Sequence, residues 1–160
     1  MSVRYGLAAL CACAIALCGS PASAASNNVR ITGLTDVAFG SLTGVDVVRA
    51  QNLCAYSSTA TQGYRVTATG SGSAGAFTLA NGGSALAYEV QWSSASGQTS
   101  GANLAPSIAL TGQASAATQQ QCNSGPATTA SLILIVRGTA AAAASGGSYS
   151  GTLTLILGPE

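Results

Sequence analysis

Three features predict an all-β fold, an immunoglobulin-like antiparallel sandwich of about six to seven strands: short runs that alternate apolar with polar residues, turn signals rich in Gly, Ser and Asn between them, and no long helical period beyond the N-terminal leader. The clearest run lies near the end of the 160-residue chain. In Ser148-Tyr149-Ser150-Gly151-Thr152-Leu153-Thr154-Leu155-Ile156-Leu157, one face collects Tyr149, Gly151, Leu153, Leu155 and Leu157, and the other collects Ser150, Thr152 and Thr154. Period two with β-branched and aromatic residues marks a strand with one buried face. Gly146-Gly147 opens it and Gly158-Pro159 closes it, which makes it a core strand against which earlier strands pack.

From the start of the chain, residues 1–24 read as a secretory signal peptide. Arg4 supplies the positive region, Leu7 to Leu17 the apolar region, and Ala22-Ser23-Ala24 the small-residue cleavage site. Cleavage after Ala25 is nearly equivalent, and a lipid-modified start at Cys13 is a weaker alternative because the apolar stretch before it is very short. The apolar run is too short to span a bilayer, so no membrane insertion is expected once the leader is removed. Residues 25–160 then form one exported domain, periplasmic in transit and finally at the cell surface or outside the cell.

Val29 to Leu34 and Thr35 to Leu42 read as a first strand broken near Gly33 and stopped at Gly40 to Gly44. Val45 to Tyr56 is the second strand, with Val48, Ala50, Asn52, Cys54 and Tyr56 opposed to Val47, Arg49, Gln51, Leu53 and Ala55. Gln62 to Gly70 is the third, with Tyr64, Val66 and Ala68 facing in. Ala76 to Leu79 is a short strand, and Asn81-Gly82-Gly83 is a hairpin signal. Ala85 to Trp92 alternates throughout, with Leu86, Tyr88, Val90 and Trp92 on one face. Leu104 to Leu110 pairs weakly at best, and Thr111 to Thr128 is a long connection carrying Cys122. Thr129 to Arg137 contains Leu132 to Val136, apolar on both faces, as in the centre of a sheet. Ala140 to Ala144 suits one helical turn, because five residues cannot hold a helix alone.

Charge and cysteine content narrow the function. The exported domain carries Arg30, Arg49, Arg65 and Arg137 against Asp36, Asp46, Glu89 and Glu160, with no Lys and no His. A neutral surface without basic clusters argues against nucleic acid and anionic membranes as partners. Such a surface suits a protein packed into an assembly. Cys11, Cys13 and Cys18 leave with the leader, and Cys54 and Cys122 most simply form one disulfide. It would pin the long connection to the second strand. A nucleophilic thiol lacks a His partner, and two Cys without His make no zinc site, so no metal or cofactor is expected.

Nor is an enzyme expected. Asp36 and Asp46 sit beside turns, where Asp usually caps backbone, and Glu89 falls on a solvent face. Gly70 to Gly75 lacks the Lys of a phosphate loop and reads as a turn. Tyr88 and Trp92 alternate with polar residues, which favours core packing over a sugar-stacking platform, and the same holds for Tyr149. Tyr56 is less constrained.

Several segments together resemble spore coat protein U domains, which are related to pilins of the archaic chaperone–usher pathway. These are Leu34-Thr35-Asp36-Val37-Ala38-Phe39-Gly40, Cys54 at the end of the second strand, Tyr64-Arg65-Val66, Leu86-Ala87-Tyr88-Glu89-Val90-Gln91-Trp92, and Gly147-Ser148-Tyr149-Ser150-Gly151-Thr152-Leu153-Thr154-Leu155. The resemblance covers nearly all of Ile31 to Gly158. It implies a sandwich lacking its last strand, completed when a neighbouring subunit's extended segment adds beside the terminal strand, a mode known as donor-strand complementation. The acceptor edge would then be Tyr149, Gly151, Leu153, Leu155 and Leu157. Implied partners are a periplasmic chaperone, an usher and neighbouring pilin-like subunits.

The chain departs from that family in two ways. After leader removal no Cys precedes Leu34, so Cys122 is the available partner of Cys54. Only Ala25 to Ile31 precedes the first strand, too short to fill a neighbour's groove and start its own strand. The expectation is a structural subunit of a bacterial surface fibre or coat that accepts a strand without donating one. The alternative is a tip adhesin or secreted module binding carbohydrate or surfaces through Ser93 to Asn103 and Thr111 to Gly125. Exposed aromatic or large apolar side chains in those loops would favour the alternative.

Overall fold

The computed structural model describes residues 27–160, so the expected signal peptide, residues 1–24, and its expected cleavage site lie outside the described residues. Ten strands are present: β1 Val29–Thr32, β2 Val47–Ser57, β3 Gly63–Gly70, β4 Thr78–Asn81, β5 Ser84–Ala87, β6 Glu89–Ser93, β7 Ala102–Asn103, β8 Ala109–Ala114, β9 Ala130–Val136 and β10 Leu153–Pro159, with one short helix, α1 Gly138–Ala143. Among the described residues the count exceeds the expected six to seven because the anticipated strand Ala85 to Trp92 divides into β5 and β6, and because β7 and β8 form where a loop and only weak pairing were expected.

The strands form an all-β antiparallel sandwich. One sheet runs β1-β2-β9-β6-β7, the facing sheet runs β10-β3-β8, and β4-β5 is a separate hairpin. The order β1-β2-β9-β6 matches the ABED sheet of an immunoglobulin-like sandwich, with β3 and β10 as C and F. β9 is central, pairing with β2 from Val47↔Val136 to Leu53↔Ala130 and with β6 from Glu89↔Ile135 to Ser93↔Ser131. Every residue of β9 is buried, as expected of an apolar run with neighbours on both edges.

The core lies between the two large sheets. Leu53 and Ala55 of β2, Tyr64, Val66 and Ala68 of β3, Val90 and Trp92 of β6, and Leu132, Leu134 and Val136 of β9 form it. Tyr64 and Trp92 meet edge to face, and Trp92 Nε1–H donates to the Tyr64 hydroxyl at 3.2 Å. That bond satisfies two polar groups buried in apolar surroundings. Burial raises the Tyr64 hydroxyl pKa, with the Trp92 bond opposing. Tyr88 and Trp92 are therefore core residues, 7% and 1% exposed.

The disulfide joins Cys54 of β2 to Cys122 in the connection between β8 and β9, with 5.9 Å between Cα atoms. Cys54, Cys122 and Ala117 form a second small buried cluster with Tyr56 against it. Ser115 Oγ–H and Thr129 Oγ1–H both donate to the carbonyl of Ala55. Staple and hydroxyls together fix the long connection against β2.

Three expected elements differ from the observed ones. Ala85 to Trp92 is not one strand: β5 pairs with β4, β6 pairs with β9, and Tyr88 stands between them, its N–H donating to Phe77 O. The chain changes partners there without changing its inward face. Thr35 to Leu42 forms no strand, so β1 is only four residues long. The terminal strand begins at Leu153 and reaches Pro159, leaving Tyr149 and Gly151 ahead of it. Ser150 is held there by paired main-chain hydrogen bonds with Ala80.

Candidate functional site

β10 pairs with β3 along one edge, from Leu153↔Gly70 to Pro159↔Tyr64, and no strand of the described residues pairs with its other edge. Alternate N–H and C=O groups of β10 are thus left without ladder partners. The expected acceptor residues divide around this edge. Leu153, Leu155 and Leu157 are partly buried, pack on the core, and alternate with exposed Thr154 and Ile156. Gly151 precedes the strand at a close approach: a Cβ there would stand 2.9 Å from the Thr78 carbonyl oxygen. Tyr149 packs on the core, and its hydroxyl donates to Ser145 O at 3.0 Å.

Opposite the free edge runs an extended strap, residues 34–42. Gly33 and Gly44, with φ of +87° and +79°, turn the chain at its two ends, a backbone conformation that costs glycine little. Val37, Phe39 and Leu42 of the strap pack on the core, and the Phe39 ring lies 6.3 Å from that of Tyr88. Between strap and β10 lies a cavity of about 330 Å³. Its apolar lining includes Val37, Phe39, Leu132, Leu134, Leu153 and Leu155. A wider cleft of about 940 Å³ continues from it between strap residues and the Ala144–Gly151 loop, with Tyr149 in its wall. Asp36 is the charged residue lining both.

The groove thus brings Gly151, Leu153 and Leu155 together with interior residues of β9. Leu157 lies beyond its end. Gln51 and Leu79 line the groove and Arg49 bonds the strap, yet none of the three was singled out in the sequence, where the strap segment was read as part of the first strand. The signal for Arg49 and Gln51 was available: both fall on the same face of β2 as buried Leu53 and Ala55, where a polar side chain needs a partner.

The carboxylates are placed elsewhere. Glu89 accepts two hydrogen bonds from Arg137, at 2.8 and 2.6 Å, and Arg137 also donates to Asp46 at 2.8 Å. Asp46 Oδ1 accepts from Gly138 N–H at the start of α1, so Asp46 caps backbone, though not in its own turn. The Gly138 bond and then Arg137 hold Asp46 below its ordinary pKa, and the Arg137 bonds do the same for Glu89. All three side chains are close to half exposed, which makes this a surface clamp between β2, β6 and β9. No group of three or more metal-ligating side chains occurs among the described residues.

The loops Ser93 to Asn103 and Thr111 to Gly125 present no large exposed apolar side chain. The first is anchored to its own sheet. Gly97 N–H donates to Asn52 Oδ1, Gln98 N–H to Ser131 Oγ, and Ser131 Oγ–H to Ala95 O.

No family model, no curated protein and no solved structure matches the chain.

Proposed function

We propose that the domain is a structural subunit of a bacterial surface fibre or coat, completed by a strand received from a neighbouring subunit. The observation that carries this reading is the unpaired edge of β10 beside a groove that opens onto Leu132 and Leu134 of the central strand. An open edge over apolar side chains invites pairing with another chain, and strand addition satisfies both the main chain and the leucines. The near absence of charge suits a protein whose surface is covered by neighbours. β1 is already laddered to β2 through Val29 to Thr32 and is not free to be donated, in keeping with an acceptor. The partners in this reading are neighbouring subunits, with a periplasmic chaperone and an usher implied by the resemblance. The adhesin alternative draws no support from the two small, polar loops.

The test is a thermal melt of the oxidised protein with and without a peptide of about twelve residues that alternates valine with serine or threonine. At a peptide concentration 100 times its Kd, the fold should gain about 2.7 kcal/mol, and Tm should rise with concentration. A Tm indifferent to the peptide, in a protein that stays monomeric, would overturn the reading.

A further inference from the structure

We infer that Arg49 and Gln51 form a clasp that holds the 34–42 strap as the far wall of the groove, at a spacing that keeps the slot beside β10 open. The inference rests on the strand-acceptor reading and adds to it the residues that make the acceptor competent.

The strap is anchored by side chains instead of a ladder. None of its main-chain groups hydrogen-bonds to another main-chain group of the described residues. Instead, Thr35 N–H donates to Gln51 Oε1 at 3.0 Å, the Thr35 hydroxyl donates to the same oxygen at 3.1 Å, and Gln51 Nε2 donates back to Thr35 O at 3.4 Å. Arg49 Nε donates to Ala38 O at 3.1 Å and Nη2 to Phe39 O at 2.9 Å, while Nη1 braces against Val48 O at 3.1 Å. Among the described residues, the N–H groups of Asp36, Val37, Ala38 and Phe39 have no hydrogen-bond acceptor.

The positions of the two clasp residues explain why they are polar. Arg49 lies opposite Leu134 and Gln51 opposite Leu132 in the β2–β9 register, and both share a face with Leu53 and Ala55. Apolar residues there would let Val37 and Phe39 settle onto the leucines and close the cavity. A fork of fixed donors and an amide that both gives and accepts instead set the strap at one height above β2. An incoming strand then meets the unpaired edge of β10 on one side and the strap on the other, whose extended backbone can turn alternate N–H groups toward it. The occupant that fits is an extended segment with apolar side chains at every second position and no acidic residue near Asp36.

The experiment measures peptide affinity and amide hydrogen exchange, using the same alternating peptide. The oxidised wild type is compared with an Arg49→Ala/Gln51→Ala double variant and an Arg49→Lys variant. All three should keep the disulfide and the wild-type circular dichroism, since both side chains bond the strap and neither belongs to the buried core. In the wild type the peptide should slow exchange at β10 and at Val37 to Phe39 together. The double variant should bind at least tenfold more weakly. Arg49→Lys should fall between them, because an ammonium can still reach one carbonyl but cannot fork across two.

Equal affinity in the double variant would overturn the clasp. So would slowed exchange at β10 with faster exchange in the strap, which would make the strap a plug that the peptide expels. If the wild type shows no peptide binding at all, the strand-acceptor reading falls and takes the clasp with it. A double variant that loses its circular dichroism would overturn the clasp as a groove device and make both residues structural.

Discussion

Removing the disulfide should cost this fold a large part of its stability. Cys54 and Cys122 are 68 residues apart. In the chain-entropy account, opening a loop of that length releases about 4 kcal/mol of conformational freedom to the unfolded state. Domains of this size are stable by about 5–15 kcal/mol in total. The two sulfurs lie in a small cluster with Ala117, apart from the main core, so replacing both by Ala leaves little cavity and the entropic contribution dominates. The assay is urea unfolding of the oxidised wild type against Cys54→Ala/Cys122→Ala, followed by circular dichroism. With an m value of about 1–3 kcal/mol per molar, the midpoint should fall by roughly 1.3–4 M, and m should rise somewhat because the uncrosslinked unfolded chain exposes more surface. A loss below about 1 kcal/mol would refute the reasoning. It would mean that the connection between β8 and β9 is already restricted in the unfolded chain, or that its hydroxyl bonds to β2 suffice.

Three further outcomes are expected. Thr129→Val should cost about 1–3 kcal/mol in the same unfolding assay, because Thr129 Oγ1 accepts from the Ala55 N–H and its loss leaves that buried donor unpaired, while the Ala55 carbonyl keeps its bond from Ser115. Trp92→Phe should destabilise by a similar amount, leaving the Tyr64 hydroxyl without its donor; near-ultraviolet circular dichroism would report the changed ring packing. Asp46 and Glu89 are held below their ordinary pKa values in the fold, so the unfolded chain takes up protons first as pH falls. Their stabilisation is therefore full above the ordinary carboxylate range and is lost as pH falls from that range through the depressed folded values. Thermal melts between neutral and acid pH should show a shallower decline for Asp46→Asn/Glu89→Gln, and added salt should narrow the difference from wild type.

What the sequence disclosed followed from side-chain period. Leu132 to Val136 could only be a strand with neighbours on both sides, and β9 is that strand. Asn81-Gly82-Gly83 announced a hairpin, and Asn81 pairs with Ser84 across Gly82 and Gly83. Trp92 and Tyr88 were placed in the core by their polar neighbours alone. What was not legible depends on hydrogen-bond partners, which leave no mark on alternation. Leu86, Tyr88, Val90 and Trp92 keep the same inward face while the main chain leaves one sheet for another. Val37 and Phe39 alternate as a strand would, yet the place of a ladder partner is taken by side chains ten or more residues away. Asp46, Glu89 and Arg137 meet only because β2 and β6 flank β9, which no local pattern conveys. β10 was legible as an apolar strand, but the strap that faces its unpaired edge was not.

The β2–β9 register has a consequence for how the chain is made. β2 emerges from synthesis early, carrying a long row of unsatisfied main-chain groups, and its partner arrives only when residues 130–136 follow. β3 waits longer still, for Leu153 to Pro159. Contacts this distant in sequence slow folding, and unpaired strands in the meantime are prone to aggregate. Cys54 waits beside them, unable to reach Cys122 until the connection after β8 exists. Assembly of this sandwich is therefore a late and nearly simultaneous event, in which β10 supplies the pairing that one edge of β3 has awaited.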